Sequence, residues 1–157
     1  MDANGFRRLY DYHFALNRRL WDHCTAHLTQ PQFVQKLDYS VGSIRNQMVH
    51  MMNIDERWFC DLRGQEVPGL LNPVYFHRPA AIRERWDGVE ADMRAYLAAL
   101  QDADLEHPLE IGMQVWEVLF HVLNHGTDHR AQVLAMLHHL GVPTWPQDYA
   151  IFLRRRK

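Results

Sequence analysis

Cysteine is scarce in this chain: Cys24 and Cys60 are the only two among 157 residues. Two thiols so far apart make neither a zinc ribbon nor a disulfide framework, and each reads as a small buried hydrophobe rather than a nucleophile. Long apolar runs are absent as well, none approaching the roughly 18 residues of a membrane span. The opening MDANGFRRLYDY has no signal-peptide core, so a cytoplasmic protein with reduced thiols is expected. Neither sign of charge dominates, with 17 Lys and Arg against 19 Asp and Glu and a formal net charge of -2. Without a basic stripe the chain has no electrostatic footprint for nucleic acid or anionic lipid. The closing RRRK of residues 154–157 is the local exception and reads as a solvated terminus. No segment alternates convincingly as a strand, and no internal repeat is visible.

What is present is helical periodicity and histidine. Hydrophobic residues make up 47% and charged residues 23%, an ordinary globular balance that fits one domain over residues 1–157. Eleven histidines direct attention to metal.

Four long amphipathic segments stand out. The first runs from Asn4 to about Leu28, with Phe6, Leu9, Tyr10, His13, Leu16, Asn17, Leu20 and Cys24 at three- and four-residue steps. A short helical turn from Pro31 to Lys36 follows. The second long segment starts near Ser43 and closes at Gly64, with Ile44, Met48, Met51, Asp55, Trp58 and Leu62 as its inward stripe and His50 beside it. Residues 64–79 are too rich in proline and glycine for a regular element. The third segment spans Ala80 to Leu100, and residues around Leu105 to Met113 suggest a small hairpin. The fourth runs from Val115 to Leu140, stopped by Gly141 and Pro143, with Val118, Val122, His125, His129, Gln132, Val133, Met136 and Leu140 in phase. The fold class is therefore all-α, a four-helix bundle, either up-and-down or with crossovers.

The stretch HVLNHGTDHR holds His121, His125 and His129 at four-residue spacing. On a helix, His125 and His129 lie one turn apart on an otherwise apolar face, an arrangement that presents two nitrogens to one divalent ion. Buried together without a shared partner, two neutral imidazoles would leave polar nitrogens unpaired. By position, His50 is the best third ligand. Three imidazoles without a thiolate leave coordination places open, as in catalytic metal sites. His121 drifts about 80° around the helix from His129 and is assigned to support of a ligand or to a pocket wall. Gly126, costly inside a helix, implies either close approach of a neighbouring helix or room beside an ion. His13, His23, His27, His77, His107, His138 and His139 read as hydrogen-bonded core or surface residues. Asn17, Asp55 and Gln132 can orient ligands or serve as ordinary interface polars, and Trp58, Trp116, Trp145 and the segment Tyr75 to His77 are candidate pocket walls.

The run HVLNHGTDHRAQVLAMLHHLGVPTWPQDYAIFL resembles the C-terminal signature of DinB/YfiT-like proteins, MVHMMNIDERWFCDLRG their second-helix pattern, and YDYHFALNRRLWDH their first helix. That family is unrelated to the translesion polymerase of similar name. The resemblance implies a four-helix bundle, commonly a homodimer, with a divalent metal, zinc or nickel, on His50, His125 and His129. It further implies chemistry of a transferase acting with a low-molecular-weight thiol on an electrophilic substrate. A hydrolase is a related reading, and a non-catalytic, stress-associated metal-binding bundle is the alternative. Core histidines in a plain helical dimer are a third possibility. Ala131 departs from the family pattern, which has glycine after His-Arg, and is expected to change packing rather than ligation. Trp21 and Trp145 are expected to be exposed, in keeping with a dimer.

Overall fold

The structure is a computed structural model, and it describes residues 1–155. Six helices are formed: α1 (Ala3–His27), α2 (Gln30–Val34), α3 (Ile44–Leu62), α4 (Pro79–Ala99), α5 (Val115–His139) and α6 (Tyr149–Arg155). The four long ones match the expected segments within a few residues. Of the basic closing run, residues 156 and 157 lie outside the described residues.

Local chemistry explains the helix ends. Asp2 caps α1 by accepting from Gly5 N at 2.6 Å, and Ser43 caps α3 by accepting from Asn46 N at 3.1 Å. At the start of α5, Glu117 reaches back to the amide of Gln114 at 2.8 Å, half of a capping box. Gly141, at φ +75, takes the left-handed turn that ends α5, and Val142 N then bonds the Leu137 carbonyl at 2.9 Å.

The paired side chains give the helix directions. Moving along α1, Tyr10 meets Leu119, His13 meets Gly126, and Asn17 meets Arg130, so α1 and α5 are parallel. Gln47 meets Gln132 and His129, His50 meets His125, and Trp58 meets His121, so α3 and α5 are antiparallel. Asp55 meets Trp86 and Arg63 meets Asp92, which makes α3 and α4 parallel. The order around the bundle is α1, α4, α3, α5. This up-down-down-up arrangement needs the long connection of residues 63–78 to carry the chain back along the bundle between α3 and α4.

The core runs through all four long helices, with Phe6, Tyr10, Leu20, Met48, Met52, Phe59, Ile82, Met93, Leu119 and Val133 buried together. Several expectations are corrected. The region expected to form a hairpin makes one isolated bridge, Pro108 to Gln114, and no strand occurs among the described residues. Trp21 is buried, not exposed, because it packs edge-on against Phe33 of α2. Cys60 is only half-buried and receives a contact from Arg63, whereas Cys24 is buried and its thiol is pushed up to about 12 by desolvation. Ala131 is exposed on α5. Helix α6, too short to show a periodicity in the sequence, sets Tyr149 and Phe152 edge-on against Tyr12.

Candidate metal centre

The antiparallel docking of α3 on α5 brings His50, His125 and His129 together. Each offers a nitrogen, and the three ligand atoms lie within 4.8 Å of one another. His50 Nε2 is 3.1 Å from His125 Nε2. Two nitrogens bound to one tetrahedral zinc at the usual bond length stand about 3.3 Å apart, so the spacing suits a shared ion. The rings are tightly grouped, with centroids 4.2 Å apart for His125 and His129 and 4.5 Å apart for His50 and His129.

The electrostatics favour neutral ligands. Burial pushes His125 down to about 3, with repulsion from His129, His50, His121 and His13 adding to it. Burial also lowers His50, opposed by Asp55, and lowers His129 together with His50, opposed by Asp128. The buried Nδ1 of His125 has no hydrogen-bond partner. Three neutral imidazoles that converge without a cationic side chain among them, one of them with an orphaned nitrogen, form a donor set that can hold a metal ion.

His129 is oriented from outside the cluster. Its Nδ1 is 2.8 Å from Oε1 of the wholly buried Gln47. Gln47 in turn donates through Nε2 to Ser40 Oγ and to Gln132 Oε1, both at 2.9 Å, which turns its oxygen toward the imidazole. His129 therefore donates through Nδ1 and keeps the Nε2 lone pair for a ligand. Gln132, read from the sequence as either a ligand-orienting or an ordinary interface polar, reaches His129 through Gln47. No motif marks Gln47 in the sequence; only its place one turn before His50 could have drawn notice.

Asn17 and Asp55 gather elsewhere, around His13. Asn17 Nδ2 stands 3.0 Å and Asp55 Oδ2 3.4 Å from His13 Nε2, while Arg130 lies 3.4 Å from its other nitrogen. Trp86 Nε1 donates to the same Asp55 oxygen at 3.2 Å. The guanidinium of Arg130, 1% exposed, donates to Asn17, Thr127 and Gln147 at 2.9 to 3.0 Å. One buried carboxylate and one buried guanidinium are thus satisfied on the core side of α5. Gly126 belongs to this cluster: a Cβ there would sit 2.5 Å from His13 Cε1. Close approach of α1 accounts for the glycine.

His121 is not part of the triad. Its ring lies 6.0 Å from that of His125 and packs edge-on to Trp58 at 5.0 Å. Of the expected pocket walls, Trp58 is linked to the triad through His121. Trp116 lines a separate cavity with Met1, Phe6 and Phe120, Trp145 packs on His23 and Arg19, and Tyr75 is exposed.

The model of the DinB family matches residues 1–156. The chain belongs to the DinB family. This DinB-family chain is also similar to "Protein DinB" of Bacillus subtilis (strain 168), at 26% identity over 164 residues that cover 93% of this chain and 92% of the relative. Among the described residues of the DinB-family bundle, no helix is long and apolar enough to cross a membrane.

Proposed function

We propose that His50, His125 and His129 bind one divalent metal ion, zinc or nickel, and that the site serves a transferase reaction between a low-molecular-weight thiol and an electrophile. The observation that carries this reading is the convergence of three neutral imidazoles from α3 and α5, with no thiolate or carboxylate among them. An ion held this way retains open coordination places, where it would lower the pKa of a thiol. The residues around it have separate tasks. Gln47 fixes the tautomer of His129, and the Trp58 ring beside His121 walls one side of the approach. Asp55 is tied to Trp86 and His13, which leaves it no direct part in moving a proton at the ion. A homodimer accompanies this reading, and light scattering of the purified protein tests it.

Elemental analysis of tag-free protein, purified without added metal, is the deciding test. About one divalent ion per chain is expected in the wild type and none in His50→Ala or in the double variant His125→Ala with His129→Ala. A wild type that carries no ion and takes up neither zinc nor nickel overturns the metal site. With the ion established, consumption of a thiol with a chloro-dinitroarene, forming the thioether and releasing chloride, should require the ion. Stoichiometric metal without that dependence favours the non-catalytic binding protein.

A further inference from the structure

Beyond the triad, α3 continues through the half-buried Ile54, Arg57, Trp58 and Asp61. These residues, with Val67, Leu70 and Ile111 from the connections, line a cleft of about 450 Å³. That volume lies within the usual range for small-molecule sites. The walls are apolar except for two charges, and only one of those is engaged: Arg57 donates through Nη1 to the Pro68 carbonyl. Asp61 Oδ2 is shielded from solvent and accepts no hydrogen bond. The neighbouring Arg63 is paired with Asp92 instead. Among the described residues Asp61 forms no ion pair, and an unpaired carboxylate in an otherwise apolar cleft favours a ligand that brings a cation. Beside it the Trp58 ring offers a π-face suited to a cation or an apolar group.

We infer that this cleft is a binding site for an organic ammonium ion, with the protonated amine on Asp61 and its apolar body against Trp58, Ile54 and Leu70. Trp58 is also the cleft's link to the histidines, through His121. Asp61 lies about 16 Å beyond His50 along the helix axis, so an elongated molecule can place its amine in the cleft and its reactive end at the triad. That last step rests on the metal reading; the ammonium site itself does not.

The test is calorimetric titration with 2-phenylethylammonium, its neutral analogue 2-phenylethanol, and the anion 3-phenylpropanoate. Each is titrated into zinc-loaded and into chelator-treated protein, with metal content measured on the same samples. The amine should bind in both forms at least about tenfold more tightly than the alcohol, and the anion should bind least. Addition of the amine should shift the Trp58 indole N–H resonance, identified by its loss in Trp58→Phe. Asp61→Asn, isosteric and checked for unchanged circular dichroism and metal content, should abolish the preference for amine over alcohol. Equal affinity for amine and alcohol, no detectable amine binding, or a preference that survives Asp61→Asn would each overturn the inference. A preference confined to zinc-loaded protein overturns it too, because it places the amine at the ion. Amine selectivity in a wild type that holds no metal leaves the ammonium site standing and removes only its link to the triad.

Discussion

At Gln47 a single wholly buried amide separates the orientation of a ligand from its identity. Gln47→Leu keeps the three imidazoles but removes the acceptor on His129 Nδ1. Loss of such a supporting hydrogen bond typically weakens metal binding about 10- to 100-fold, and competition with a calibrated chelator reads that change directly; unchanged affinity would show that His129 is held by packing alone. His125 makes a second prediction, about the metal-free protein. Its folded value, about 3, lies below the ordinary 6.5, so the unfolded chain takes up the proton first. Stability from the neutral imidazole is then fully present above pH 6.5 and is lost as the pH falls from 6.5 toward 3. The urea midpoint of chelator-treated protein should drop between pH 7 and pH 5, and His125→Phe should flatten that slope. A midpoint that holds or rises on acidification would contradict it.

Helix α5 has two working faces, and its sequence shows one far more plainly than the other. The outer face carries the histidine spacing, legible because a four-residue repeat on an apolar helix has few readings. The inner face carries Gly126 and Arg130, whose partners His13 and Asn17 come from α1. A glycine and an arginine in a helix have many uses, so the sequence left them open. Gly126→Ala should destabilise the protein: overpacking against His13 costs about 1–3 kcal/mol, offset by about 1 kcal/mol of helix propensity. Adding His13→Ala to Gly126→Ala should relieve the clash, giving a coupling term in a double-mutant cycle of urea midpoints. Arg130→Met should cost about 3 kcal/mol or more, since it strips a partner from a buried polar cluster that holds α5, α1 and Gln147 together. The short helix α6 is not legible in the sequence, because seven residues carry too little periodicity to separate helix from loop; its packing on Tyr12 is a tertiary matter.

Across the whole molecule, an ion held by residues of two helices would tie its binding to folding. Zinc that binds only the folded chain at a free concentration near 1,000 times its Kd adds about 4 kcal/mol. Thermal melts should therefore rise on zinc addition for the wild type and stay fixed for the variant with both His125→Ala and His129→Ala; equal shifts in both would place the ion elsewhere. The sequence by itself determined the four long helices, their inward faces and the pairing of His125 with His129, because each follows from the helical repeat within one continuous segment. Which helices become neighbours was decided only by the tertiary structure. Apolar stripes specify that a face is buried and are nearly indifferent to what buries it. The return of residues 63–78 along the bundle sets α4 parallel to α3, and the diagonal placement of α1 from α3 leaves α5 to pack antiparallel on α3. That arrangement alone carries His50 to the histidine pair and Gln47 to His129, across a separation in sequence that no local pattern can bridge.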